Sequence, residues 1–322
     1  MSKEFIKKSK RDKDARPLDQ RNYGKVESLC IFRCNCNCIM CSVANAIKKN
    51  SRDKNEGIKP FEEVKKDIDI AVRAKANTFA FSGGEPTLRK DLIELVKYAK
   101  KKIPNIEIQS NGRLFYYKGY CEELIRAGVN IFVVSFYSPL EDVHDRIMGV
   151  KGAYRQTLQG LKNLEELKQT VKINIVILKL NYRHLSGLVK FLLKLGVREF
   201  RFIYVTIEGN VLDNPEDIVA KMSVVAPYLK EALRIGLKKV PCYVYNMVPC
   251  LLPDYEESIN DIFQSDTYLR GPDFECSIDE NRRKNKVKSK KCKECKYNSY
   301  CYGIWKNYAK VFGLGELKPV KD

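Results

Sequence analysis

Short apolar, β-branched runs alternate with amphipathic stretches along the first two thirds of this chain. Residues 26–32, 78–82, 106–110, 131–136, 173–178 and 200–205 are rich in Val, Ile and Phe and read as strands. Between them, residues 61–74 follow Pro60 at a helix start, residues 90–101 are amphipathic, and residues 122–127 stop at Gly128. Residues 154–167 and 184–195 complete the helical series. Strand and helix in strict alternation predict a parallel sheet with crossover helices. The six units form an α/β fold, a partial (βα)6 version of the eightfold barrel. Active sites in such folds lie where strands end and loops begin.

After Asn210 the pattern changes to one long helix over residues 215–238, a strand-like stretch at 243–245, and a loop-rich tail that carries cysteines. Four regions are therefore expected: a basic flexible tail over 1–22, a barrel over 23–210, a connecting helix over 211–240, and a small cysteine-rich domain over 241–322.

At 322 residues and 44% hydrophobic composition, the chain can bury one large core and support a smaller appendage. No apolar run approaches the roughly 18 residues of a membrane span, and residues 1–21 are too charged for a signal-peptide core. A cytoplasmic location without membrane contact is the expectation. The balance of 59 Lys and Arg against 40 Asp and Glu, net +19, permits a polyanionic partner such as nucleic acid, and equally describes a solvated lysine-rich surface.

The twelve cysteines sharpen the picture because they cluster. Cys34, Cys36, Cys38 and Cys41 crowd the loop after the first strand, and Cys292, Cys295 and Cys301 crowd a second segment. In a long chain without a secretory signal, such clusters read as metal ligands rather than disulfides. Taken as C-x3-C-x2-C, the thiols of Cys34, Cys38 and Cys41 supply three ligands to a cubane cluster and leave one iron open. A zinc site is the alternative for both segments, and with it a non-catalytic zinc or iron–sulfur binding protein.

The cysteine loop resembles the signature of the radical S-adenosylmethionine superfamily, and the likeness runs over about residues 23–205. Ser82-Gly83-Gly84-Glu85-Pro86, ending the second strand, resembles that family's Gly-Gly-Glu motif. There the glycines let backbone carbonyls approach a ligand, and Glu85 offers an acceptor to the cofactor's amine. Ser110 and Asn111 after the third strand and Ser135 after the fourth resemble positions that touch the cofactor. Met40 stands where an aromatic residue is common, and its thioether fills the same space. The segment His144-Asp145-Arg146-Ile147-Met148-Gly149 reads as architectural. Cys36 is an additional thiol, read as a bystander. The resemblance implies a 4Fe-4S cluster, S-adenosylmethionine, and a one-electron reductant of flavodoxin or ferredoxin type.

Cys292-x2-Cys295-x5-Cys301 resembles the SPASM or twitch domain of many superfamily members, which implies one auxiliary 4Fe-4S cluster. Cys250 is the preferred fourth ligand and Cys276 the alternative. Lys288, Lys290, Lys291, Lys293 and Lys296 would stabilise thiolates there. The appended cysteines favour a peptide or protein side chain as substrate. Small-molecule cofactor biosynthesis and RNA modification are the alternatives. Cys121, Tyr137 and Tyr154 are conceivable hydrogen donors, although packing accounts for each, and no catalytic residue is assigned.

Overall fold

The computed structural model describes residues 21–45, 57–262 and 266–321. Residues 1–20 of the expected tail lie outside the described residues. The strands are β1 (Lys25–Ile31), β2 (Thr78–Gly83), β3 (Asn105–Ser110), β4 (Ile131–Ser135), β5 (Val171–Ile177), β6 (Glu199–Tyr204), β7 (Cys242–Tyr245), β8 (Thr267–Arg270), β9 (Glu275–Ser277), β10 (Lys286–Val287) and β11 (Ile304–Trp305). The helices are α1 (Phe61–Arg73), α2 (Leu92–Lys100), α3 (Lys118–Ala127), α4 (Glu141–Met148), α5 (Ala153–Glu166), α6 (Leu185–Leu193), α7 (Pro215–Ile218), α8 (Met222–Gly236), α9 (Ile278–Asn285) and α10 (Lys306–Phe312).

Nine strands form one curled sheet in the order β7-β6-β5-β4-β3-β2-β1-β8-β9, parallel throughout except for β9. The six expected strands are its centre. Strand β7 joins β6 on one edge and β8 joins β1 on the other, so the region after residue 240 extends the half-barrel at both sides. Two short strands, β10 and β11, make a separate antiparallel pair.

The two faces of the sheet differ in chemistry. Phe79, Phe81, Ile106, Ile108, Phe132, Ile173, Ile175, Phe200 and Phe202 are wholly buried in the apolar core. Truncating one of these rings to Ala costs about 3–5 kcal/mol. The alternate positions are polar and join across strands inside the curl. Lys25 lies 2.5 Å from Glu107, Arg201 bonds Glu199 at 2.7 Å, Lys172 pairs with Glu199 at 2.9 Å, and Glu27 accepts from Ser82 at 2.7 Å and Gln109 at 2.9 Å. Burial would raise the Glu107 carboxyl, but Lys25 and Arg201 outweigh it and hold the group at about 2. This ionic floor explains why β5 and β6 alternate, unlike doubly covered parallel strands, which read as continuous apolar runs.

The single long helix expected over 215–238 is instead two, α7 and α8, separated by an extended Val219. Carbonyls that would continue the helix are taken by the barrel: Lys179 donates its backbone N–H to Ile218 at 2.8 Å, and the Tyr204 hydroxyl donates to the Ala220 carbonyl. Tertiary hydrogen bonds have replaced helical ones there.

Candidate functional site

The strand ends of the half-barrel open into a cavity of about 850 Å³. Its wall includes Cys34, Cys36, Cys38, Met40 and Cys41 from the β1 loop, Gly83 and Gly84 from the β2 loop, Ser110 and Asn111 after β3, and Ser135 and Tyr137 after β4. All the expected barrel-site residues except Glu85 therefore share one chamber.

Three strands' loops hold the cysteine segment in place. Arg113 donates to the Asn35 carbonyl, and the Asn111 amide donates to Asn35 Oδ1 at 2.7 Å. The α4 terminus, within the segment read as architectural, accepts from Asn37 N–H at 3.1 Å through Met148 and from Ile39 N–H at 3.0 Å through Ile147. Beyond β6, Asn210 donates its backbone N–H to the Cys41 carbonyl at 3.1 Å and its side-chain amide to the Cys38 carbonyl at 2.9 Å. Gly209, at φ +56°, passes so close that a Cβ would stand 2.0 Å from the Cys41 carbonyl oxygen. Asn35, Arg113, Gly209 and Asn210 carried no recognisable sequence signal.

The glycine pair also lets the β2 loop close on β1. Gly84 N–H donates to the Ile31 carbonyl at 2.6 Å and Glu85 N–H to the Arg33 carbonyl at 2.9 Å, so the β2 loop is strapped across the end of β1. A Cβ on Gly83, at φ +131°, would sit 2.1 Å from the Ile31 oxygen, and one on Gly84 would sit 2.4 Å from that of Arg33. The space that the glycines free is occupied by β1 backbone. Glu85 turns inward and is fully buried. It accepts from Thr87 N–H at 3.1 Å, Thr87 Oγ1 at 2.6 Å, Ser110 Oγ at 2.8 Å and Asn111 N–H at 2.8 Å. Burial pushes its carboxyl up while these four donors pull it down. Its side chain thus ties the β2 loop to the β3 loop.

Near the C-terminus, Cys250, Cys292, Cys295 and Cys301 line one small apolar chamber with Val248, Tyr297 and Leu317. Cys276 stands apart from them, on β9, and lines the barrel cavity. Burial pushes the Cys250 thiol up to about 11 and raises that of Cys301. Backbone N–H groups point at the sulfurs: Gly303 to Cys301 at 3.3 Å, Val320 to Cys295 at 3.4 Å and, at the barrel site, Cys36 to Cys34 at 3.4 Å. Soft thiolates with N–H donors suit iron–sulfur clusters, so both donor sets fit that group. Among the described residues, no three His, Cys, Asp or Glu side chains close on a single metal-ion position. In this structure the thiols line chambers.

The Radical SAM superfamily model matches residues 29–192, from within β1 to α6. This chain belongs to the radical SAM superfamily. It is accordingly a radical SAM enzyme, whose cofactors are a 4Fe-4S cluster and S-adenosylmethionine. Among curated proteins it is similar to the Fe-coproporphyrin III synthase of Methanosarcina barkeri, 32% identical over 55% of this chain and 43% of that one. It is also similar to a probable GTP 3′,8-cyclase of Thermoplasma volcanium, 34% identical over 45% of this chain and 43% of the relative. The matched part spans less than half of each of these two. In fold, the chain resembles Streptococcus suis SuiB bound to S-adenosylmethionine, with a TM-score of 0.66 and 16% identity over 94% of this chain and 76% of SuiB. No described helix of this radical SAM enzyme is long and apolar enough to cross a membrane.

Proposed function

We propose that this enzyme modifies a peptide or protein side chain, with Cys34, Cys38 and Cys41 holding the cluster that binds S-adenosylmethionine. When bound and reduced by one electron, cluster and cofactor together supply a 5′-deoxyadenosyl radical that abstracts hydrogen from the substrate. The chain's own work is positional. The Asn210, Met148 and Asn111 contacts fix the thiol-bearing loop, Gly83 and Gly84 set the turn beside it, and Ser110, Asn111, Ser135 and Met40 offer polar and thioether contacts to the cofactor. Cys250, Cys292, Cys295 and Cys301 hold an auxiliary cluster in a SPASM- or twitch-like unit.

The observation that carries the substrate reading is the character of the cavity wall. In a chain of net charge +19, its described lining includes Glu27, Glu208 and Glu275 and no Lys or Arg. Glu208 is exposed on that wall, and desolvation raises its carboxyl. Such a wall favours neutral or cationic groups over a triphosphate. SuiB, which shares the fold, has also been solved bound to its precursor peptide SuiA. A second reading, small-molecule cofactor biosynthesis, draws on the sequence likeness to the synthase and the cyclase.

The test is deuterium transfer into 5′-deoxyadenosine from labelled peptide, nucleotide and RNA pools, offered separately to the reduced enzyme. Label from the peptide pool is expected. Label from nucleotides alone would sink the peptide reading.

A further inference from the structure

Positive charge is concentrated where the C-terminal thiols approach the surface. Lys284, Lys288, Lys290, Lys291, Lys293 and Lys296 are exposed, and Cys292 and Cys295 lie half-buried among them. Glu294 is the one acidic residue between positions 284 and 296, and Lys321 pairs with it at 3.1 Å. Some surface lysines elsewhere have carboxylate partners: Lys65 with Glu62 at 3.0 Å, Lys66 with Glu63 at 2.5 Å, Lys102 with Asp69 at 2.6 Å, and Lys118 with Glu166 at 2.9 Å. Among the described residues, Lys290, Lys291 and Lys293 have none. The short turn Lys290–Glu294 carries both these lysines and Cys292. An uncompensated patch of this kind steers an oppositely charged partner and is screened by salt.

We propose that this lysine-rich face is the docking surface for an acidic one-electron carrier protein of flavodoxin or ferredoxin type. The proposal rests on the reading of the C-terminal thiols as a cluster site, because docking there sets the carrier's redox centre against the face behind which Cys292 and Cys295 lie. A protein fits better than RNA. Single-stranded RNA is gripped by exposed aromatic faces between basic groups, whereas Tyr297 and Tyr300 of this segment are buried.

The test uses the reconstituted full chain and oxidised flavodoxin, with binding followed by flavin anisotropy across a salt series. Binding is expected to weaken steeply with salt. The variant K290E/K291E/K293E is expected to bind at least about tenfold more weakly, and K97E/K101E/K238E, with the same net charge, within about twofold of the parent. In preparations matched for iron and sulfide, because these lysines also flank the C-terminal thiols, 5′-deoxyadenosine formation driven by dithionite should be equal in all three proteins, while formation driven by reduced flavodoxin should fall only in the first variant. Unchanged flavodoxin binding in the first variant overturns the proposal. So does a parallel loss with dithionite, or selective loss of binding to a transfer-RNA pool instead. If charge reversal prevents folding, K290Q/K291Q/K293Q and the salt series on the parent decide the matter. Iron near four rather than about eight per chain would defeat the auxiliary-cluster reading on its own, independently of the binding result.

Discussion

The side-chain amide of Asn210 donates to the backbone carbonyl of Cys38 at 2.9 Å, across 172 residues of sequence. Cys38 follows β1 and Asn210 follows β6, five places apart in the strand order, so only the curl of the sheet brings them together. Asn210 also holds the Cys41 carbonyl, while Gly209 supplies the close approach. The cysteine loop is thus a bridge over the barrel mouth, fixed at its far end by a strand that contributes no thiol.

Asn210→Ala removes the side-chain bond and keeps the backbone one. The loss of about 1 kcal/mol of loop anchoring corresponds to roughly fivefold in an equilibrium. Iron of the barrel cluster should pass to a chelator several-fold faster than in the parent, with the C-terminal cluster unaffected and secondary structure unchanged by circular dichroism. Release at the parental rate would show that the side-chain bond does not hold the loop.

The glycine pair makes a contrasting prediction. Gly84→Ala places a methyl 2.4 Å from the Arg33 carbonyl oxygen and 2.5 Å from that of Phe32, with backbone on both sides and no flexible side chain to yield. A loss of about 2–4 kcal/mol is expected in urea unfolding. Gly119→Ala, on helix α3 with nothing within 4 Å of the added methyl, should be neutral or stabilising by up to about 1 kcal/mol. Equal effects at the two positions would remove the steric account of the β2 loop.

The half-barrel's centre was legible because one face of every strand is apolar and each crossover helix is amphipathic. Its edges were not. Strand β8 is four residues whose pairing with Lys25–Ser28 is set by register across the whole domain, and that same pairing carries Cys276 into the barrel cavity. The cysteine segment stood out by its spacing and the Gly-Gly-Glu segment by its resemblance to a family motif, but neither says which atoms fill the space a glycine leaves. The break between α7 and α8 was invisible for a similar reason. It arises from carbonyls diverted to Lys179 and Tyr204, not from a breaker residue at 219–221.

The register of the cluster ligands is open to direct test. Cys36 lines the same cavity as Cys34, Cys38 and Cys41, and Arg113 approaches its sulfur at 3.7 Å. If Cys36 is a bystander, Cys36→Ser should retain parental iron and sulfide after anaerobic reconstitution. Serine at Cys34, Cys38 or Cys41 should each lose about half of both, and with it dithionite-driven 5′-deoxyadenosine. Equal loss at Cys36 would shift the ligand set.

The ionic floor of the barrel predicts a pH signature away from the thiols. Glu107 is 2% exposed and held at about 2, against an ordinary value of 4.5, by Lys25 and Arg201. Because the folded-state value is depressed, its contribution is fully present above about pH 4.5 and disappears as pH falls toward 2. A shift of that size corresponds to about 3 kcal/mol. Glu107→Gln removes the negative charge between Lys25 and Arg201 and leaves them only Glu27 at 3.5 Å and Glu199 at 2.7 Å, so it should be less stable than the parent by up to about that amount at pH 7. The gap between parent and variant, from urea unfolding at matched pH, should narrow steadily below pH 4.5. Cluster loss in acid affects both proteins alike and cancels in the difference. A gap that stays constant from pH 7 to pH 3 would mean that the carboxylate's charge is not what holds the floor together.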